Sequence, residues 1–270
     1  MKIYEIRVKR ALAPSGLPEY DYALNPYVGC LHGCHYCYAI DMTRGLPGKM
    51  WGEVVYVKTN LLEVLKREAA KYRPGVVGLS TITDPYQPPE AKYRLSRGAI
   101  EILAEAGFHV SVQTKSGMAV RDLDLFVKYR DRVDVGVTIT TLRDKARILE
   151  PLASHPLARA RTVEKLAEAG VRVWIFLGPI IPGFNDSPGD IEEVVELAHS
   201  TGAELIYDRY RPKPLADARL AAQYRQVRAG EEWWARVKKT VEEICARIGA
   251  KCTDAEEEWR SARRRKRYGV

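Results

Sequence analysis

Asparagine is scarce in this sequence, and long apolar runs are absent. Asn25, Asn60 and Asn185 are the only asparagines, and low amide content combined with many Arg and Glu residues is typical of proteins from hot environments. No apolar run approaches the ~20 residues that a membrane-spanning helix needs. Residues 1–5 lack the apolar stretch of a signal peptide. We therefore expect a cytoplasmic protein with no part in the membrane.

The five cysteines are distributed unevenly along the chain. Cys30, Cys34 and Cys37 lie within one short stretch, whereas Cys245 and Cys252 lie far downstream. Because a cytoplasmic chain normally keeps its thiols reduced, clustered cysteines indicate a metal site rather than a disulfide. For Cys245 and Cys252 we favour core packing or a disulfide over a second metal site, since two cysteines cannot hold a four-iron cluster and no histidine is near them in sequence.

The composition is that of a globular protein with an excess of positive charge. Hydrophobic residues make up 46% of the 270 residues, charged residues make up 29%, and the net charge is +8. A basic balance favours polyanionic partners, so nucleic acid is a candidate substrate. Part of the excess lies near the C-terminus, where the alternative is a solvated helix face. These residues are Arg260, Arg263, Arg264, Arg265, Lys266 and Arg267.

Short apolar runs alternate with amphipathic stretches, which predicts a parallel α/β fold. The predicted strands are 21–25, 76–80, 109–114, 134–139, 172–177 and 204–207, and the predicted helices are 61–72, 95–106, 123–129, 158–169 and 191–200. Six strand–helix units are too few for an eight-stranded barrel. The sequence therefore predicts a partial (β/α)6 TIM-type barrel that is open at one side.

We expect three regions along the chain. Residues 1–20 form an N-terminal extension, residues 21–212 form the barrel, and residues 213–270 form a C-terminal helical extension. Trp233, Trp234 and Trp259 are expected packing anchors of that extension. The unusual segments follow the predicted strands, where such folds build their sites.

The first of these segments carries Cys30, Cys34 and Cys37 with the spacing C-x3-C-x2-C. Thiolates are soft donors that bind iron–sulfur clusters or zinc. Three cysteines leave one iron of a [4Fe–4S] cluster without a protein ligand, and a reactive metal centre needs such an open position. The alternative is a zinc site with His32 or His35 as the fourth ligand, as in a zinc-dependent nucleic-acid-binding module.

The motif and its neighbours resemble the radical S-adenosylmethionine (radical SAM) superfamily, and within it the spore photoproduct lyase-like group, often called "DNA repair photolyase". The resemblance runs in order over residues 20–210. The matching segments are 25–30, 36–39, 83–90, 114–116, 121–124, 138–141, 150–151 and 178–186.

The resemblance implies a chemistry and a set of cofactors. The open iron of a [4Fe–4S] cluster binds S-adenosylmethionine, and an electron from a ferredoxin- or flavodoxin-type donor cleaves it to a 5′-deoxyadenosyl radical. That radical abstracts a hydrogen atom from the substrate. The protein supplies orientation and excludes water. The substrate is a nucleic acid or, alternatively, a protein or small metabolite.

The resemblance also suggests roles for residues after each strand. Lys115 would pair with the cofactor carboxylate, and either Arg159 or Arg161 would assist. Thr138 and Thr140 share one strand face and would bond the ribose hydroxyls or the carboxylate. Tyr36 and Tyr38 flank Cys37 and are candidates for cofactor binding, with Tyr38 near the adenine; the alternative for both is core packing. The segment with Gly178, Ile180 and Ile181 would contact the adenine ring.

The loop after the second strand departs from the family pattern. Spore photoproduct lyases carry a cysteine there that returns a hydrogen atom to the substrate radical, but residues 80–84 contain none. Repair of the spore photoproduct by that route is therefore not expected. Asp84 is a candidate for the methionine ammonium group or the substrate, and Tyr86 is a candidate hydrogen-atom relay.

Overall fold

The protein folds around two β-sheets. The computed structural model describes residues 1–225 and 229–268, without the side chains of residue 258 and of residues 263–268. The strands in this part of the chain are β1 (Lys2–Ile6), β2 (Leu12–Pro14), β3 (Tyr22–Leu24), β4 (Tyr27–Val28), β5 (Val54–Lys58), β6 (Val76–Leu79), β7 (His109–Thr114), β8 (Val133–Thr138), β9 (Arg172–Ile180), β10 (Glu204–Arg209) and β11 (Cys252–Asp254).

Helices connect these strands. In the same described ranges they are α1 (Ala39–Met42), α2 (Leu46–Lys49), α3 (Leu61–Ala69), α4 (Glu90–Tyr93), α5 (Leu95–Glu105), α6 (Leu123–Lys128), α7 (Ala146–Leu149), α8 (Pro156–Glu168), α9 (Pro188–Thr201), α10 (Pro214–Gln223), α11 (Glu231–Ile248) and α12 (Ala255–Tyr268), with a 3-10 helix at Gly117–Asp122. Ser187 caps α9 through the backbone N–H of Asp190, and Gly202 ends it in a left-handed conformation.

The larger sheet has the strand order β11-β10-β9-β8-β7-β6-β3-β2. Neighbouring strands from β3 to β11 are parallel, and β2 runs antiparallel to β3. The predicted strands are β3, β6, β7, β8, β9 and β10, so the prediction of an α/β fold with a mostly parallel sheet is confirmed. The sheet is wider than the predicted (β/α)6 set, because β2 and β11 extend its edges. Each has three residues, too few for a recognisable apolar pattern.

Each central strand packs one face under helices and turns the other toward an interior cavity. In β7, Val110 and Val112 are buried in the core, while His109, Ser111 and Gln113 line the cavity. Successive side chains of a strand point to opposite faces, so one short sequence supplies both layers. The helices α3, α5, α8 and α9 bury their apolar faces against the outer layer.

The second sheet holds the start of the cysteine segment. Its order is β1-β5-β4, with β1 parallel and β4 antiparallel to β5. Because β4 ends at Val28, its pairing with β5 fixes where the loop that carries Cys30 begins. The segment over residues 1–20 thus supplies β1 to this sheet and β2 to the larger one.

The C-terminal region, predicted as a helical extension, contains the helices α10, α11 and α12 and also the short strand β11. A disulfide joins Cys245 of α11 to Cys252 of β11, which is one of the two alternatives favoured from the sequence. Trp234 is buried, Trp233 packs against the same core, and Trp259 lines the interior cavity. Two of the three expected anchors therefore pack as predicted, and the third faces the site.

The basic C-terminal residues lie partly outside the described structure. Arg260 forms an ion pair with Glu256 at 2.7 Å, and its side chain is 68% exposed, as on a solvated helix face. The side chains of residues 263–267 are outside the described residues. None of the described helices is both long enough and apolar enough to span a membrane.

Candidate active site

A cavity of about 980 Å³ occupies the lumen of the larger sheet. His109 and Arg172, at the start of β7 and β9, line one end. Cys37, Lys115 and Tyr210 line the other end, where the parallel strands finish. This is the end at which parallel α/β folds place their chemistry.

The cysteine loop closes that end of the cavity. Cys30, Cys34 and Cys37 are free thiols; the first two are buried and the third is half-buried. Gly29 has a φ of +85°, and a Cβ atom there would lie 2.8 Å from both Pro47 Cβ and the Val54 carbonyl oxygen. Only glycine allows this close turn. The loop therefore takes its shape from its glycines and not from the cysteines alone.

Gln87 holds the loop in place through its side-chain amide. Its Oε1 accepts the backbone N–H of Leu31 at 2.9 Å. Its Nε2 donates to the Gly29 carbonyl at 3.2 Å and to Thr83 Oγ1 at 2.8 Å. Gln87 is fully buried, so these bonds are protected from water. The sequence predicts no role for Gln87, because nothing local indicates its contacts with Leu31 and Gly29, which lie 56 and 58 residues away.

Asp84 and Tyr86 come from the same loop, but only Asp84 lies at the cavity. Asp84 lines the cavity and accepts the Thr114 hydroxyl at 2.7 Å and the Lys115 N–H at 2.8 Å. It therefore joins two strand ends. Tyr86 is fully buried, donates to Asp122 at 3.1 Å and is not among the residues that line the cavity. The structure does not bring this candidate relay to the site.

The three thiols share a buried environment that disfavours their ionisation. Burial raises the pKa of Cys34 to about 12; Lys115 lowers it and Glu150 raises it. Burial also raises the pKa of Cys30 and of Cys37, and Asp84 raises that of Cys30 further, followed by the other two thiols. Thiolates at this place need a strong neighbouring cation, such as a bound metal cluster.

Glu150 is the centre of a buried polar network beside the cysteines. Its carboxylate accepts hydrogen bonds from Tyr36, Thr140 and Arg159. Burial opposes the charge of Glu150, but Arg159 and then Lys115 outweigh it, so its pKa lies below the ordinary value. Tyr36, Thr140 and Arg159, all predicted to bind the cofactor, are therefore brought together around this carboxylate.

Burial separates the two arginines of α8 that the sequence offered for the cofactor carboxylate, Arg159 and Arg161. Arg159 is 1% exposed and also donates to the Thr138 carbonyl at 3.0 Å, while its Nε has no partner in the residues that the structure describes. Arg161 is exposed. Only Arg159 reaches the network behind the cysteines.

Lys115, Tyr38 and Thr138 line the cavity next to the thiols. Lys115 Nζ lies 5.5 Å from the centre of the Tyr36 ring. Burial lowers the pKa of Lys115, but Cys34, Glu150 and Cys37 raise it more, and the net shift is upward. Within the described ranges no carboxylate forms an ion pair with Lys115, so its ammonium group is available to an anionic ligand.

The predicted adenine segment divides between the cavity and the core. Gly178 and Pro179 line the cavity. Ile180 and Ile181 are 0% and 1% exposed and do not line it. The apolar surface that the sequence suggested for these isoleucines faces the core instead.

The residues around the cysteines fit a [4Fe–4S] cluster. Trp51 packs with Cys30 in one apolar cluster, and its indole N–H is buried without a partner among the described residues. An unpaired buried donor is costly, and a cluster sulfur is an acceptor for it. Across the part of the chain that the structure describes, no three His, Cys, Asp or Glu side chains form a ready-made group for a single metal ion, so the fit to a cluster rests on the three free thiols and the unpaired Trp51 N–H.

Comparison with known proteins agrees with this site. The Radical SAM superfamily profile matches residues 24–198, which include the three cysteines. The chain belongs to the radical SAM superfamily and is an enzyme of that class.

An uncharacterised protein of Methanocaldococcus jannaschii is 32% identical to this chain, over 69% of this chain and 70% of the relative. An uncharacterised protein of Acidianus two-tailed virus is 31% identical, over 75% of this chain and 70% of the relative. A Mycobacterium tuberculosis protein is 32% identical over 74% of this chain and 62% of its own length.

Solved structures share the fold. Spore photoproduct lyase complexed with dinucleoside spore photoproduct aligns with a TM-score of 0.71 at 16% identity, covering 94% of this chain and 82% of the lyase. Streptococcus suis SuiB bound to S-adenosylmethionine aligns with a TM-score of 0.61 at 12% identity, covering 86% of this chain and 49% of SuiB. At these identities the likeness establishes the fold alone.

Proposed function

We propose that Cys30, Cys34 and Cys37 hold a [4Fe–4S] cluster that binds S-adenosylmethionine at its open iron. When bound and reduced by a ferredoxin- or flavodoxin-type donor, such a cluster would supply the one electron that splits S-adenosylmethionine into methionine and a 5′-deoxyadenosyl radical, the species that would take a hydrogen atom from the substrate. The observation that carries this proposal is the group of three free thiols, two buried and one half-buried, at the end of a large cavity that Cys37 lines, in a chain of this superfamily.

The residues of this chain have distinct parts in that chemistry. Lys115, a cation without a carboxylate partner among the described residues, would pair with the carboxylate of S-adenosylmethionine. Thr138 and Tyr38 line the same end and would orient the ribose and the adenine. Glu150 and Arg159 would hold Tyr36 and the strand end behind the cysteines. Asp84 would position Lys115 through its backbone N–H.

We propose nucleic acid as the substrate. Arg209, Arg211 and Lys213 line the cavity within a five-residue segment at the end of β10. Arg172 and Lys251 line its other end. Cations along a groove attract a phosphate backbone. Modification of a protein or a small metabolite is the second candidate, because the cavity wall also carries the carboxylates of Asp134, Glu204 and Asp208.

The test is anaerobic incubation of reconstituted enzyme with S-adenosylmethionine and uniformly deuterated DNA, RNA or cell extract. Mass spectrometry then measures deuterium in the 5′-deoxyadenosine that forms. We expect transfer from a nucleic acid substrate. Transfer only from the protein or metabolite fraction would favour the second candidate, and absence of any reductant-dependent 5′-deoxyadenosine would refute the proposed chemistry.

A further inference from the structure

Three aromatic rings lie over glycines inside the barrel. A Cβ atom on Gly136 would lie 2.2 Å from the six-membered ring of Trp174. A Cβ atom on Gly78 would lie 2.4 Å from the Tyr20 ring, and one on Gly178 would lie 2.4 Å from the Phe176 ring. All three rings line the cavity. The lumen is therefore walled by flat apolar surfaces that fit only because the residues beneath them have no side chain.

Trp174 is fixed more firmly than ring packing alone requires. Its indole N–H donates to Asp134 Oδ1 at 2.7 Å. Asp134 also accepts the Ser111 hydroxyl at 2.8 Å and contacts His109 Nε2 at 2.6 Å. The carboxylate is 8% exposed, so this network holds the ring in one orientation. A ring held this way is preorganised for a planar ligand, which lowers the cost of binding.

Polar groups stand in the same row across the sheet. The register pairs Gly136 with Trp174 on one side and with Gln113 on the other. Ser80 immediately follows β6, whose register with β7 places it beside Gln113. Neighbouring strands are about 5 Å apart. The side-chain amide N–H of Gln113 donates to Thr138 Oγ1 at 3.1 Å. The amide oxygen of Gln113 takes no part in that bond.

Ser80 is the residue in this row whose hydroxyl and backbone conformation indicate a ligand. It lines the cavity and is 6% exposed, yet its hydroxyl has no hydrogen-bond partner within the described part of the chain. Its φ of +67° lies in the left-handed region, which a serine rarely adopts. A buried hydroxyl without a partner is unfavourable, and such strain is found where a site requires it. An incoming polar ligand would satisfy this hydroxyl.

We propose that Trp174, supported by Gly136, and Ser80 form a subsite for one nucleobase of the substrate. The base would stack on the Trp174 ring, and a carbonyl or ring nitrogen at its edge would bond the Ser80 hydroxyl, since every base carries both a flat face and polar edge groups. This subsite rests on the proposal above that the substrate is nucleic acid.

The test compares two single-stranded probes of equal charge on the reconstituted enzyme. One is a fluorescein-labelled 12-nucleotide oligodeoxythymidylate, and the other is an abasic strand of the same length. Because both carry the same phosphates, the electrostatic contribution cancels. We expect anisotropy titrations to give about ten-fold tighter binding of the base-bearing strand, the effect of one stacked base.

Two substitutions address the subsite. Trp174→Leu should abolish the preference for the base-bearing strand. Ser80→Gly removes the hydroxyl and relieves the left-handed backbone, so it should reduce the preference several-fold without lowering the melting temperature. Arg94→Gly is the matched control, because Arg94 has a φ of +49° but does not line the cavity. It should leave the preference unchanged.

The outcomes separate this subsite from the proposed chemistry. Equal affinity of the wild-type enzyme for the two strands, or binding of neither, would overturn the subsite. So would a preference that survives both Trp174→Leu and Ser80→Gly. Formation of 5′-deoxyadenosine in a parallel assay without nucleic acid reports on the cluster chemistry alone, so its presence alongside any of these results would leave that chemistry standing.

Discussion

Replacing Gln87 by methionine removes three hydrogen bonds while nearly preserving side-chain volume. The lost bonds join Gln87 to Leu31 at 2.9 Å, to Gly29 at 3.2 Å and to Thr83 at 2.8 Å. The Gly29 carbonyl keeps a bond from the Thr83 hydroxyl at 2.5 Å. The Leu31 N–H loses its acceptor, and Leu31 is 1% exposed. The substitution therefore leaves a buried donor beside the first cysteine.

The expected loss of stability follows from these contacts. A net hydrogen bond contributes about 1 kcal/mol, and a buried donor left without an acceptor costs about 1–3 kcal/mol. We expect Gln87→Met to lower the free energy of unfolding of the cluster-free protein by about 2–4 kcal/mol. Because the cysteine loop loses its anchor, the iron bound per chain after reconstitution should also fall.

Urea unfolding followed by circular dichroism, together with iron analysis, tests this prediction. Gln223→Met is the matched control, because Gln223 is exposed at the end of α10 and should change stability by less than ~0.5 kcal/mol. A Gln87→Met protein that matches the control in stability and the wild type in iron content would refute the role of Gln87 as the anchor of the loop.

Three further predictions concern other parts of the molecule. Trp51→Phe removes the buried indole N–H beside Cys30, which has no partner among the described residues. The cluster midpoint potential should fall by about 40 mV, the one-electron equivalent of a ~1 kcal/mol hydrogen bond. An unchanged potential at full iron content in an EPR-monitored titration would count against a hydrogen bond from Trp51 to the cluster. Replacing Cys245 and Cys252 by serine should cost about 2–3 kcal/mol in urea unfolding by the chain-entropy argument, and the difference from wild type should vanish in reductant. Burial raises the pKa of Asp190, but bonds from Lys145, Ser187 and Thr141 lower it more, so its folded pKa is depressed. Its contribution is therefore present above the ordinary carboxyl pKa and is lost as the pH falls, so Asp190→Asn should destabilise at pH 7 and progressively less below pH ~4; a difference independent of pH would contradict this assignment.

The central strands were predictable because their core-facing residues leave a strong local signal. Runs such as Val76–Leu79 and Val133–Thr138 are rich in valine, and the cysteine spacing is a local pattern as well. The second sheet has no such signal. β1 is exposed along most of its length and pairs with β5, more than 45 residues away.

The contacts that surround the site could not be predicted from the sequence either. Tyr36 and Glu150 are 114 residues apart, and their contact depends on the tertiary packing of these distant segments. Gly136 reads as an ordinary strand glycine until the register places Trp174 over it. Tyr86 and Ile180 lie in segments that flank the site, but the alternation of buried and cavity-facing positions decides which side chains enter it.

The most direct test of the account is anaerobic reconstitution of the wild-type protein and of its Cys30→Ala, Cys34→Ala and Cys37→Ala variants. Iron, sulfide and reductant-dependent 5′-deoxyadenosine are measured in each. We expect about four irons per wild-type chain, 5′-deoxyadenosine formation that needs both reductant and S-adenosylmethionine, and loss of both in every variant. One zinc per chain with no iron and no 5′-deoxyadenosine would contradict the assignment of these three cysteines.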